Sequence, residues 1–106
     1  MCDTDYSGYP DCRRETIASL KQTISLGLDK EVQIHTPLMD KNKADIWRLS
    51  YDLGGEVFQK IVIENTHTCY VGDRSNLNDW GYGCGVCPAC ILRRDGYNEW
   101  VKQNGI

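Results

Sequence analysis

The residues best equipped for chemistry are four thiols near the end of the chain. Cys69 stands alone, and Cys84, Cys87 and Cys90 follow at three-residue steps in the run Cys84-Gly85-Val86-Cys87-Pro88-Ala89-Cys90. Thiolates are soft ligands, and in a reducing compartment such a grouping suggests a metal rather than disulfides. Zinc is the first candidate. It takes four thiolates tetrahedrally at about 2.3 Å, and a closed four-cysteine shell leaves no position for water, so such a centre holds structure and performs no reaction. An iron–sulfur cluster is the alternative, because C-x-x-C-x-x-C with a distant fourth cysteine also binds clusters. In those runs a proline follows the remote ligand, whereas Pro88 follows an inner cysteine. Disulfides or free thiols complete the choices.

The elements that must position these thiols are legible beside them. Proline suits the first position of a helix, which makes Cys87 the N-cap and places Cys90 in the first turn. Thiolates there face the positive end of the helix dipole. Four thiolates around a divalent ion leave two net negative charges, which Arg93 and Arg94 one turn on can offset; the alternative for the two arginines is a solvated basic face. His67, two residues before Cys69, competes as a ligand, but with four cysteines present it is read as exposed or as lying behind them.

With 106 residues the chain is read as one unit, in which residues 1–66 form a substrate-side part and residues 67–106 the metal-binding segment. So short a chain buries a modest core, and a metal staple is plausible on stability grounds alone. The net charge of −3 and pI near 5.2 argue against a nucleic-acid groove, which needs a basic face. No apolar run approaches membrane length. The opening residues Met1-Cys2-Asp3-Thr4-Asp5 are acidic and polar, unlike a secretory signal, so a cytoplasmic location is expected.

Residues 5–13, dense in turn formers with two tyrosines, two carboxylates, a thiol and a guanidinium, predict a loop that ends with Asp11 as N-cap. Either it is a polar entry to a helix, or its rings and hydrogen-bonding groups line a pocket for a planar heterocycle. Ile17, Leu20, Ile24 and Leu28 recur at helical spacing, predicting a helix over 13–28 ended by Gly27. The alternation Glu31-Val32-Gln33-Ile34-His35 predicts a strand with His35 on its exposed side. Asn42 with Asp45 resembles a capping box for a second helix. Ile46, Leu49 and Leu53 are its expected buried stripe, Trp47 is core filling, and Gly54-Gly55 ends it. Val57 to Ile63 is taken as a further helix, although its β-branched run also suits a strand. Residues 70–83 predict a long polar loop whose Trp80 and Tyr82 cover the thiol site or face a neighbouring surface. The last helix is expected from Pro88 to about Asp95, with a pause at Gly96 and a stop at Gly105.

Three stretches together resemble a known family. They are Asp5 to Arg13 (DYSGYPDCR); Thr36-Pro37-Leu38 with Lys43-Ala44-Asp45-Ile46; and Cys69-Tyr70 with CGVCPACILR from Cys84 to Arg93. In order and spacing they are similar to the C-terminal half of the 7-cyano-7-deazaguanine synthase (QueC) family, ligases of queuosine biosynthesis. The resemblance implies the C-terminal portion of an α/β, Rossmann-like ATP-pyrophosphatase (PP-loop) fold, helix-rich, with structural zinc on Cys69, Cys84, Cys87 and Cys90. It implies ATP-dependent conversion of 7-carboxy-7-deazaguanine and ammonia to 7-cyano-7-deazaguanine. Asp5, Ser7, Tyr9, Asp11, Cys12 and Arg13 are the matching substrate-pocket candidates; for Cys12 a wall or packing role is preferred to a nucleophilic one, as no adjacent base is evident. The family's Ser-Gly-Gly-x-Asp-Ser phosphate loop is not among these residues. ATP and magnesium are therefore expected only with an N-terminal half, and the implied partners are the small-molecule substrate, that half or a second copy, but no nucleic acid and no membrane. The alternative from a different class is a zinc-stapled interaction module without catalysis.

Overall fold

The structure, a computed structural model, describes residues 1–104, the side chains of Asp3 and Ser7 excepted. In chain order the elements are a 3-10 helix at Asp3–Ser7, α1 at Arg14–Leu28, α2 at Lys43–Asn65, β1 at Leu77–Asn78, β2 at Gly81–Tyr82 and α3 at Pro88–Gln103. They fall into two compact units, Met1–Lys41 and Asn42–Ile106. The compact units thus meet at 41/42, and within the second, α2 shares its core with α3. The fold is helix-rich α/β, and no helix among the described residues is long and apolar enough to cross a membrane.

In the first unit, part of the loop expected at 5–13 is instead the end of the 3-10 helix. The Asp5 carboxylate accepts a hydrogen bond from the Cys2 N–H at 2.9 Å, tying down the start of that turn. Helix α1 forms where its periodicity predicts, but no residue of it is buried within the chain. Its N-cap is Arg13, in extended conformation, not Asp11. Nor does Gly27 end it. The helix runs through Gly27 and stops at Asp29, whose φ of 53° and ψ of 40° are left-handed, a conformation that a short polar side chain tolerates. The Lys30 N–H then returns to the Ser25 carbonyl at 3.1 Å, satisfying one of the last helical acceptors.

The expected strand at 31–35 does not form. The period of two is present, with Val32 and Ile34 half-buried and Glu31, Gln33 and His35 exposed, but no other segment among the described residues pairs with it. Its backbone is held by a side chain instead, the Val32 N–H donating to Ser25 Oγ at 3.1 Å. An alternating pattern shows which side chains prefer cover; a ladder also needs a neighbour.

The second unit begins at a reciprocal cap. Asn42 Oδ1 accepts from the Asp45 N–H at 2.8 Å, and Asp45 Oδ2 accepts from the Asn42 N–H at 3.1 Å. The buried face of α2 is Ala44, Trp47 and Ser50, offset from the expected stripe: Ile46 and Leu49 are half-buried and Leu53 is 72% exposed. Helical geometry breaks at Gly55, with φ 63° and ψ −158°, a region essentially reserved for glycine. Beyond it Val57 to Ile63 is helical as expected. Gln59 is buried and donates to the Trp47 carbonyl at 3.2 Å, bracing the helical stretch after the break against the one before it.

Helix α3 does not pause at Gly96. It runs unbroken to Gln103; Gly105, its expected stop, lies outside the described residues. A Cβ at Gly96 would overlap the Lys43 Cβ and lie 3.1 Å from the Lys43 carbonyl carbon, so the glycine serves the close approach of α3 to the start of α2. Between the two helices sits the core: Ala44, Trp47, Trp80, Cys90 and Trp100, with Val62, Ile63, Tyr97, Val101 and three further cysteines packed against it. The Trp47 and Tyr97 rings meet edge to face at 5.0 Å, an arrangement that aromatic quadrupoles favour.

Candidate metal centre

Three local structures deliver the four thiols. Cys69 lies just beyond α2, whose end is capped by Thr66 Oγ1 donating to the Val62 carbonyl at 2.6 Å. Cys84 follows the β1–β2 ribbon, which pairs Leu77 with Tyr82 and Asn78 with Gly81. Asn78 Nδ2 fastens this tight turn, donating to the Gly81 carbonyl at 3.1 Å. Cys87 is the N-cap of α3, its sulfur accepting from the Cys90 N–H, and Pro88 opens the helix. The long loop is therefore partly structured, and its Trp80 is a core residue.

The sulfurs converge. All four Sγ atoms lie within 4.8 Å of one another, and Cys84 Sγ is 3.9 Å from Cys90 Sγ. Ligands about 2.3 Å from a single tetrahedral ion are about 3.8 Å apart, so the spacing matches one ion. A cluster in which each cysteine holds its own iron spreads the sulfurs further, since the metal–metal separations add to it. All the cysteines are free thiols. Backbone amides already point at the sulfurs, as they do around bound thiolates: Cys84 N–H to Cys69 at 3.4 Å, Cys87 N–H to Cys84 at 3.3 Å and Cys90 N–H to Cys87 at 3.4 Å. The donor set and its surroundings fit a closed four-thiolate metal site. His67 stands apart, exposed, with Nε2 3.1 Å from the Asp73 carbonyl.

The electrostatics divide the four. The Cys84 amide, against a smaller opposing effect of burial, brings Cys69 down from the ordinary thiol range to about 6. Burial pushes Cys87 upward, but amide hydrogen bonds led by that of Tyr70 outweigh it and leave its thiol lowered. Burial dominates at Cys90, which is pushed up to about 12. A fully buried thiol of that kind becomes a thiolate only with a cation beside it.

The substrate-side candidates do not all gather in one place. Cys12 and Arg13 help line a cleft of about 520 Å³ with Tyr6, Arg14, Glu15, Met39 and Asp40. The Arg13 guanidinium lies 5.7 Å over the Tyr6 ring, and Arg14 pairs with Asp40. Asp5, Tyr9 and Asp11 are not among the lining residues; the Asp5 carboxylate serves the backbone at Cys2. The side chain of Ser7 lies outside the described residues. Tyr6, Arg14, Glu15, Met39 and Asp40 also line this cleft and are not among the sequence candidates; the only sequence signal for the last two is that they directly follow Thr36-Pro37-Leu38.

The model of the family described as queuosine biosynthesis protein QueC matches residues 1–101. The chain belongs to the QueC family. It is 52% identical over 105 residues to 7-cyano-7-deazaguanine synthase 1 of Rhodopseudomonas palustris (strain HaA2), a match covering 99% of this chain and 44% of that protein. It is 55% identical over 101 residues to the 7-cyano-7-deazaguanine synthase of Parvibaculum lavamentivorans, covering 95% of this chain and 43% of that one. The synthase of Polaromonas sp. (strain JS666) is likewise 55% identical, with 43% of its length covered. The chain thus spans less than half the length of these QueC relatives.

Proposed function

We propose that this chain is the C-terminal, metal-bearing portion of a 7-cyano-7-deazaguanine synthase, acting in ATP-dependent formation of 7-cyano-7-deazaguanine from 7-carboxy-7-deazaguanine and ammonia. One observation carries the reading: a match at 52% identity, over 99% of this chain, to a protein of that name. The chemistry needs two parts. A carboxylate oxygen leaves only after activation, and the charge developing on the phosphates needs backbone N–H groups and cations. That task, with ATP and magnesium, is assigned to the share of the relatives' length that this chain does not span, as is the Rossmann-like sheet.

To this chain fall the substrate side and the staple. The cleft with Tyr6, Cys12 and Arg13 offers a ring to stack against and a guanidinium suited to a carboxylate; Asp5, Ser7, Tyr9 and Asp11 belong to the same family motif in sequence and are assigned to the substrate side with it. Zinc is assigned to Cys69, Cys84, Cys87 and Cys90, supported by sulfur spacings suited to a single ion. Bound there, zinc supplies a fixed tetrahedral crosslink and no reactive water. The test is reconstitution. The chain is mixed with the remaining portion of the Parvibaculum synthase, ATP, magnesium, ammonium and 7-carboxy-7-deazaguanine, and the nitrile is sought by mass spectrometry. Product dependent on both polypeptides supports the reading; none from a folded, zinc-loaded complex defeats it.

The non-catalytic module is favoured by a different observation, that the core cluster and all four thiols lie inside the unit Asn42–Ile106. On that reading the chain loads zinc and stays folded but neither binds the other portion nor supports turnover.

A further inference from the structure

Arg93 is 6% exposed, although it sits in an arginine pair that sequence alone would equally leave in solvent. Its Nε donates to the Trp80 carbonyl at 2.6 Å, Nη2 to the Val62 carbonyl at 3.4 Å, and its guanidinium lies 5.5 Å over the Trp47 ring. Every one of these partners is neutral. Among the described residues no carboxylate pairs with it, and the ionisable group that favours its charge is Cys90, one turn earlier on α3. A buried cation without a counter-ion is costly, and one donor fork filled with carbonyls does not remove that cost.

The missing counter-ion lies on the same stretch of backbone. A Cβ at Gly81 would come 2.6 Å from Arg93 Nη2, and a Cβ at Gly83 would come 2.6 Å from Cys90 Sγ. The guanidinium and the most buried of the four sulfurs therefore lie against one stretch of backbone at positions two residues apart. Four thiolates and a divalent ion leave two negative charges in that wall. Arg94 differs: its guanidinium turns to Asp95 at 3.1 Å and remains 40% exposed, so water screens it and a carboxylate already answers it.

We propose that Arg93 is the internal counter-charge of the four-cysteine centre: a buried cation without a carboxylate partner, balanced once the four sulfurs hold a divalent metal. The same side chain binds the end of α2 through Val62 and the ribbon through Trp80, the two segments that precede Cys69 and Cys84. It thereby couples the centre's charge to the placing of its remote ligand. The inference rests on the metal-centre reading above, and the experiment separates the two.

The full chain and its R93K, R93Q and R94Q variants are titrated with Co²⁺, whose thiolate absorption reports four-sulfur coordination, and Zn²⁺ affinity is read by competition with a chromophoric chelator. Thermal unfolding of the metal-free and metal-loaded forms is measured alongside. If the unaltered chain binds no metal, the metal-centre reading falls, and this one with it. If it binds one equivalent, the expected results are at least a tenfold loss of affinity in R93Q, which keeps an amide donor but no charge, and affinities within threefold of the parent for R93K and R94Q. R93Q should lower the unfolding temperature more in the metal-loaded form than in the metal-free form, whereas a merely structural role would lower both alike. Equal affinity for R93Q and parent, or an R94Q loss matching that of R93Q, overturns the proposal. So does a tenfold loss in R93K, which keeps the charge and therefore carries the test even if R93Q does not fold.

Discussion

A metal site of four sulfurs is sensitive to single atoms, and Gly83 shows where. A methyl group there would stand 2.6 Å from Cys90 Sγ and 3.0 Å from the Trp80 ring, so G83A must displace either the ligand or the core tryptophan. The expected outcome is at least a tenfold weaker hold on zinc, measured by chelator competition, in a chain whose helical circular dichroism is retained. An unchanged affinity would mean that the ring yields and the sulfur does not. Cysteine replacements sort the thiols just as sharply. C90S should lose the single metal equivalent, while C12S, whose thiol belongs to the cleft, should keep it by elemental analysis of the purified protein. The four-cysteine set was legible in the sequence because ligand spacing is a local property of the chain. Arg93 was not. Whether an arginine beside such a run is solvated or buried depends on Trp80 and Val62, which lie far from it in sequence, and only folding brings them to it.

At the scale of the helices, two glycines carry opposite expectations. Gly96 admits no methyl group because the backbone of Lys43 lies against it. G96A should therefore force α3 away from α2 and destabilise the second unit by about 1–3 kcal/mol, the usual cost of overpacking. Gly27 is also helical, with nothing within 4 Å of where its Cβ would stand. G27A should stabilise α1 by about 0.5–1 kcal/mol, since alanine has less conformational freedom to lose. Urea denaturation of the two variants beside the parent decides, and a stabilised G96A would refute the close-approach account. The sequence predicts helix ends at Gly27 and Gly54-Gly55 and a pause at Gly96; the break at Gly55 is there, whereas α1 runs on to Asp29 and α3 passes Gly96 unbroken. Glycine permits a left-handed or crowded backbone without specifying which. The helices themselves were legible from spacing and caps, above all the Asn42–Asp45 pair, because those signals act within a few residues. The strand at 31–35 failed for the converse reason, since pairing is decided by another segment.

For the molecule as a whole, the question is what a metal held by the four thiols would contribute to folding. The second unit holds all three tryptophans of the chain, at 4–5% exposure, and three of the four thiols are only partly covered at the rim of that core. Structural zinc binding in small peptides reaches about 10–16 kcal/mol, against about 5–15 kcal/mol for the stability of a whole domain. Removing the ion should therefore loosen the second unit substantially while leaving α1 little changed, because α1 has no buried residue to lose. The expected signature on chelation is a red shift of tryptophan emission and loss of near-ultraviolet circular dichroism, both reversed by adding zinc. Hydrogen exchange should rise in α2 and α3 and stay level in α1. A tryptophan environment indifferent to the chelator would show that the aromatic core between α2 and α3 stands alone, making the four sulfurs a passenger on the fold and not its clasp.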